Sequence, residues 1–367
     1  MNNKFVFTRY LYEKEEVKIS LLIAILKRKE EANFWAYELY YSGFKEELKH
    51  LLWSIYYDFF ATLNPAFNIY ILKQFKEPSW DTKIVAQLVE NFMIRPFNLD
   101  VFMLRNQVKL FEIEKNVFDD DNYFFDIHNE DYTGLASYIL DDIIESKLET
   151  FLEEGIVYFE RKGMKINKKK MIGDYVKIKK ATKMCPRIIL LAQILYLYSL
   201  EKKLKMGKNL YMAVEPEDIV MYETILPDDK IRVYRILEFA RIYDIDKDNY
   251  LSLFCLKREK GDIKTAYWYN WLYYASETPF WKEKIEKYRG IKNDETMEIQ
   301  FNEENDDFDD FYNSYNYEPD EQNKKVQDKS IAPLLNVRTW KSFYNENKGT
   351  GIVHIEDEYL DEFTINF

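Results

Sequence analysis

Glycine and proline are scarce in this 367-residue chain, at 10 and 9 residues. With them goes the turn punctuation that an all-β sandwich needs about every 8–12 residues. The two cysteines, Cys185 and Cys255, are too few for a disulfide framework or a cysteine-based zinc site, and each lies in an apolar run where cysteine acts as a small hydrophobe. A reducing compartment is expected. The three histidines, His50, His128 and His354, stand far apart with no second histidine at metal-ligand spacing, and His50 falls on the polar side of its helix. The opening MNNKFVFTRYLYEKEE has no apolar centre of the signal-peptide kind. The most apolar run, Ile188–Leu200, is broken by Gln193 and stays short of the roughly 20 residues a bilayer requires. Neither secretion nor a membrane span is expected. Gly207-Lys208-Asn209 lacks the upstream glycine and the Ser/Thr of a phosphate-binding loop, and no dinucleotide fingerprint or nucleophile elbow occurs. No catalytic residue and no cofactor follow from the sequence.

What is present is apolar and periodic. Some 47 % of the chain is apolar, enough to bury a large core. In EELKHLLWSIYYDFFATL, Leu48, Leu51, Leu52, Ile55, Tyr56, Phe59, Phe60 and Leu63 recur every three or four residues, which places them on one stripe of a helix. Helices are also predicted over Val17–Leu26, Glu31–Tyr41, Pro65–Phe75, Thr82–Met93, Leu135–Glu153, Ile188–Leu204, Pro216–Ile225, Lys230–Ile242 and Asp262–Ala275. Ser42-Gly43 supplies a C-cap to the second of these, and Pro216-Glu217-Asp218 suits a first turn. FWAYELYYSG (34–43) and YWYNWLYYAS (267–276) share Trp, Leu and Tyr-Tyr in register, and each precedes a charged helix start. Convergence of aromatic helices and a repeated helix pair, as in an α-solenoid, both account for the likeness.

The expected fold is therefore mainly α, a multi-helix array or α-solenoid-like bundle with a small β-hairpin insertion and an acidic flexible segment. The divisions are an N-terminal helical domain at 1–155, a basic hairpin-like segment at 156–187, a C-terminal helical domain at 188–292, an acidic aromatic linker at 293–330 and a C-terminal docking segment at 331–367. The hairpin is placed by β-branched and aromatic residues around Lys162-Gly163 and Ile172-Gly173.

Charge is distributed in blocks. The formal net charge is −12, yet Asn293–Asn323 alone holds twelve carboxylates and no lysine or arginine, leaving 52 acids against 52 bases elsewhere. Upstream, Glu112–Glu154 is acidic and Arg161–Arg187 is basic. The basic block contains Arg161, Lys162, Lys165, Lys168, Lys169, Lys170, Lys177, Lys179, Lys180, Lys183 and Arg187 against the single acid Asp174. On a hairpin, alternate side chains would track a phosphate backbone, with Tyr158, Phe159 and Tyr175 as stacking platforms. In the acidic block Phe301, Phe308, Phe311, Tyr312, Tyr315 and Tyr317 recur among the carboxylates, a mixture that suits an extended peptide docking on a basic, partly apolar surface. That segment is expected to be flexible alone and to lie over the basic block or over a basic partner.

Two acidic clusters are candidates for a cation. Asp244, Asp246 and Asp248 match alternating calcium-loop positions, but Asn249 replaces the turn glycine and Cys255 the bidentate glutamate. Asp228-Asp229-Lys230 is a carboxylate cluster of the kind that recurs by chance in a charged chain. No metal site is expected.

The opening FTRYLYEKEEVKISLLIAIL and EANFWAYELYYSGF resemble helical proteins of unassigned function encoded by nucleocytoplasmic large DNA viruses, the giant viruses. A lysine-to-arginine ratio of 40 to 12 and abundant Asn, Ile, Tyr and Phe match the codon usage of an AT-rich genome. The resemblance covers about the first fifth of the chain and implies a viral origin, with the protein in the host cytoplasm, at the virus factory or in the virion; it carries no site residues with it. The leading expectation is a non-catalytic scaffold or adaptor with protein partners. A nucleic-acid-binding factor using the basic block is the alternative, in one version similar by fold analogy to the helical middle domain of translation initiation factor 4G. A metal-dependent enzyme is the third. Oligomeric state is not legible in the sequence.

Overall fold

The computed structural model describes residues 5–76, 81–113, 125, 130–223, 236–245, 250–254, 263–302, 305–331 and 338–363. The fold is mainly helical with one small antiparallel hairpin, and no helix among the described residues is long and apolar enough to cross a membrane. Helix α1 (Lys14–Lys27) is apolar nearly all round and buries Val17 and Ile19 as well as every residue from Leu21 to Leu26. Its start is set by Glu13, whose carboxylate accepts from the Glu16 amide, and its end by Arg28 in the left-handed conformation at φ 56°. It packs on α2 (Glu31–Tyr41). Gly43 then turns the chain at φ +95°, and a Cβ there would lie 2.5 Å from Pro279 Cβ, so both backbone conformation and close approach demand glycine.

Helix α3 (Lys45–Ile55) buries its predicted stripe and widens into a π turn at Tyr56–Phe60. Asp58 of that turn is buried and takes a bidentate pair from Arg105, Nε at 3.0 Å and Nη2 at 2.7 Å. Next come α4 (Phe67–Gln74), α5 (Thr82–Met93) and α6 (Asp100–Leu110). The helix expected over Leu135–Glu153 is interrupted. α7 (Tyr132–Ser137) passes through a second π turn, the chain extends at Ile143 and Ile144, and α8 (Leu148–Arg161) begins after it. The Arg187 guanidinium donates to the Ile139 and Ile143 carbonyls at 2.8 and 2.6 Å, satisfying acceptors that the break would otherwise orphan.

The basic segment is not a hairpin. After the turn at Lys162-Gly163 it forms α9 (Lys168–Ala181), entered through Asn167, whose side chain accepts from the Lys170 amide at 3.0 Å. Tyr175 and Ile178 are buried and Met171 is half-buried. That spacing is three to four, a helical period, and it outweighs the β-branched content on which the hairpin reading rested. Helix α10 (Pro186–Glu201) follows with proline in its first turn.

Further on lie α11 (Val220–Glu223), α12 (Ile236–Ala240), α13 (Leu251–Phe254), α14 (Ile263–Tyr269), α15 (Trp271–Ala275) and α16 (Pro279–Lys287). The first of the two similar aromatic segments abuts the start of α16, with the Phe280 amide donating to the Ser42 carbonyl at 3.2 Å. The hairpin of the fold is β1 (Ile291–Asn293) with β2 (Glu298–Gln300), register Ile291 to Gln300.

Among the described residues of the acidic segment, the expected flexible linker is replaced by packed structure. α17 (Asp307–Tyr315) places Asp307, Asp309 and Asp310 in its first turn, at the positive end of its dipole, and ends at Asn316 with φ 40°. Phe311 and Tyr317 are buried, and Tyr315 is half-buried, against the fully buried Trp281 and its neighbours Trp271 and Tyr288, while Tyr312 is half-buried against Phe301 and Phe308. Phe308, Phe311, Tyr312 and Tyr315 have the i, i+3, i+4, i+7 spacing of a helix face, so an existing aromatic wall anchors a segment whose charge alone would leave it solvated.

The chain closes with α18 (Lys324–Ile331), α19 (Trp340–Asn347) and α20 (Asp357–Glu362). The Asp100 carboxylate, at the start of α6, accepts from the Ile352 and Val353 amides at 3.1 and 3.2 Å. At the other end Phe7 and Thr8 are tied to Thr278 and Trp281 by hydrogen bonds. One apolar core runs from Phe7 to Phe363.

Candidate nucleic-acid interface

Helix α9 is anchored by one face, and four of its six lysines occupy the other. At 100° per residue, Lys169, Lys170, Gly173, Lys177 and Lys180 fall within about 100° of arc, opposite Tyr175 and Ile178. All five are exposed, and nothing approaches within 4 Å of a Cβ placed at Gly173. The stripe from Lys169 to Lys180 is about 16 Å long.

The eleven cations of the basic block divide into two groups. Lys162 pairs with Glu201 at 2.7 Å, Lys168 with Glu153 at 3.1 Å and Lys179 with Glu149 at 3.5 Å, and Arg187 is committed to backbone carbonyls. Arg161, Lys165, Lys169, Lys170, Lys177, Lys180 and Lys183 are exposed and have no ion pair among the described residues. Acidic side chains of α8 and α10 thus hold the three lysines of the first group, whereas Arg289 takes Asp307 of the acidic segment at 2.6 Å. The described acidic segment rests on α15 and α16 and leaves the basic face uncovered, contrary to the expected intramolecular contact.

The expected stacking platforms are also reassigned. Phe159 and Tyr175 are fully buried, and Tyr158 is buried with its ring stacked on Phe125 at 5.6 Å. Of the expected docking rings Phe308, Phe311, Tyr312, Tyr315 and Tyr317, only Phe308 is exposed. Aromatic surface for a ligand lies instead in a cleft at the N-terminal end of α9.

This cleft, about 390 Å³ in volume, is lined by the π turn, the residues leading into α4, the start of α9, α10 and the loop 206–211. The loop is pinned from several sides. The Gly207 amide donates to the Leu63 carbonyl at 2.9 Å, and a Cβ on Gly207 would lie 1.9 Å from Asn64 Oδ1. Arg95 Nη2 donates to the Leu210 carbonyl at 2.9 Å, while its guanidinium sits 3.9 Å from the Phe67 ring centroid and 4.9 Å from that of Tyr211. Tyr211 in turn stacks on Tyr70 at 4.2 Å.

Lys165, Lys170 and Lys208 line the cleft and are exposed, and Asp174 lines it half-buried. Burial raises the Asp174 carboxyl against the pull of Lys170 and Lys177. Burial also raises the Tyr57 and Tyr196 hydroxyls, which stay protonated at neutral pH. Four lining residues keep a buried oxygen with no hydrogen-bond partner: Tyr57 OH, Asn64 Oδ1, Asn68 Oδ1 and Gln193 Oε1. In a folded protein such atoms are uncommon.

Sequence reasoning finds Lys165 and Lys170 of this cleft and misses Tyr57, Asn68, Arg95, Gln193, Tyr196, Lys208 and Tyr211. Asn167, a cap residue ahead of an apolar period, is the signal that marks α9 as a helix. Asp228, Asp229, Lys230, Asp246 and Asp248 of the two acidic clusters, and His128, lie outside the described residues; among those described, no group of three or more His, Cys, Asp or Glu gathers as metal ligands. No protein-family model, no curated protein and no solved structure matches this chain.

Proposed function

We propose that this chain is a non-catalytic helical protein that binds single-stranded nucleic acid along the basic face of α9. The observation that carries the reading is the set of seven exposed cations with no ion pair among the described residues, four of them in one stripe. Lys162, Lys168 and Lys179 of the same block do find carboxylates. A phosphate backbone is the polyanion that a straight row of such cations fits. The whole chain is acidic, but charges beyond a screening length of about 8 Å have little effect at physiological salt, so the face acts locally. A single strand is favoured over a duplex because Lys170 belongs both to the stripe and to a cleft lined by tyrosine rings, on which unpaired bases stack.

The test is the affinity for a single-stranded RNA across a salt series. Engagement of four to seven phosphates gives a log–log slope of about −3 to −5. A flat dependence, or no binding at low salt, overturns the reading.

A second reading, a scaffold that binds protein partners, is favoured by exposed apolar side chains on the hairpin side: Tyr269 is 72 % exposed, Ile291 70 % and Phe308 54 %. The two readings are compatible in one molecule. The giant-virus origin, and action at a virus factory or in the virion, belong to the same proposal and rest on the N-terminal resemblance and the AT-rich residue preference.

A further inference from the structure

The geometry points to the cleft beside α9 as a pocket for a single nucleotide, selective for bases that carry an exocyclic amino group. This inference deepens the single-strand reading and rests on it for the path of the backbone. The volume, about 390 Å³, is in the range of small-ligand pockets.

Three features of the lining complement three parts of a nucleotide. Lys165 and Lys170, at the entry to α9, and Lys208, in the loop 206–211, are exposed; they meet the phosphate, and with Arg95 against Asp174 they leave the cleft positively charged. The rings of Tyr196, half-buried, and Tyr211, exposed, offer faces for a base, an interaction that tolerates any base because each has a π-face. Discrimination comes from the third feature. Tyr57 OH, Asn68 Oδ1 and Gln193 Oε1 are buried oxygens without partners. Adenine, cytosine and guanine carry amino donors, whereas uracil offers carbonyl oxygens at the corresponding edge. An unpartnered acceptor gains from the first group and is left unsatisfied by the second.

The test uses the full chain with four probes, AMP, CMP, UMP and inorganic phosphate, titrated calorimetrically at low salt. AMP and CMP are expected to bind about tenfold or more tightly than UMP, and inorganic phosphate more weakly still. Lys170→Gln combined with Lys208→Gln, both exposed, weakens every nucleotide about tenfold with an unchanged melting temperature. Gln193→Leu, of similar size and half-buried, removes the preference for AMP over UMP while keeping the phosphate contribution. Equal binding of all four probes, or insensitivity to both sets of substitutions, overturns the proposal. Oligonucleotide binding with a steep salt slope but no mononucleotide binding overturns the pocket and leaves the basic face standing. Selective mononucleotide binding without salt-dependent oligonucleotide binding upholds the pocket and overturns the single-strand reading.

Discussion

Residues 161–187 and 293–323 are both blocks of one charge, and they meet the surrounding protein in opposite ways. The basic block anchors α9 through Tyr175 and Ile178, pairs some of its cations with Glu149, Glu153 and Glu201, and turns the others to solvent. The acidic block buries Phe311 and Tyr317 against Trp281, uses Asp307 to hold Arg289, and places further carboxylates in a helix first turn. Charge density does not decide which block is ordered; the spacing of apolar side chains does, provided another element offers a surface to receive them. What charge decides is what remains on the outside. One block presents cations in excess of their partners, and the other presents a carboxylate skin over an aromatic core.

The comparison breaks most severely at Trp281. It is fully buried, and its indole meets Trp271, Phe280, Tyr315 and Tyr317, while its Nε1 donates to the Thr8 carbonyl at 3.3 Å. Trp281→Ala is expected to cost about 3–5 kcal/mol, read from urea unfolding, and to expose the acidic segment to proteolysis before the basic one. Equal sensitivity of the two segments would show that the acidic block does not depend on this wall.

Removing the cations of the basic face has the converse effect. Lys169, Lys170, Lys177 and Lys180 support no described contact of the fold, so their combined change to glutamine should leave stability within about 1 kcal/mol. Affinity for a single strand should fall about a hundredfold and its salt slope should flatten by about 3. A large loss of stability with unaltered affinity would make these lysines structural.

The smallest effect separates the blocks by pH. Burial, and then Asp320 and Glu321, push the Glu318 carboxyl up to about 7 from its usual 4.5. The folded state then binds more protons than the unfolded chain between those values, so stability falls as pH rises through that window and is greatest below it. Asp100, raised by burial to about 6, and Glu13, raised by burial to about 7, act in the same direction. The melting temperature should rise from pH 7.5 to 5.5, and Glu318→Gln should remove part of that rise. A melting temperature that falls over the same interval contradicts these shifts.

Much of the helical framework was legible because its signals are local. The ends of Glu31–Tyr41 and Thr82–Met93 coincide with the periodic runs, and proline marks the start of α10. α6 is not legible because its buried residues mix polar Asp100, Asn106 and Gln107 with apolar ones, which erases the stripe. α9 was mistaken for a hairpin because Ile172, Val176 and Ile178 are β-branched and Gly173 interrupts the run, although Gly173 merely faces solvent. The helix of the acidic block hid behind its carboxylates. The cleft was out of reach in principle: Tyr57, Asn68, Arg95, Gln193, Lys208 and Tyr211 come from distant stretches, and only their packing brings them together.

The central claim, that a single strand runs along α9 into the cleft, is tested most directly by photo-cross-linking an 8-azidoadenosine-substituted oligonucleotide to the full chain and mapping the attached peptides. Cross-links confined to 165–180, 193–211 and the cleft-lining stretch 56–68 are the predicted result. Cross-links concentrated on the hairpin and acidic segment, 263–331, or none at low salt under conditions that label a known single-strand binder, would contradict it.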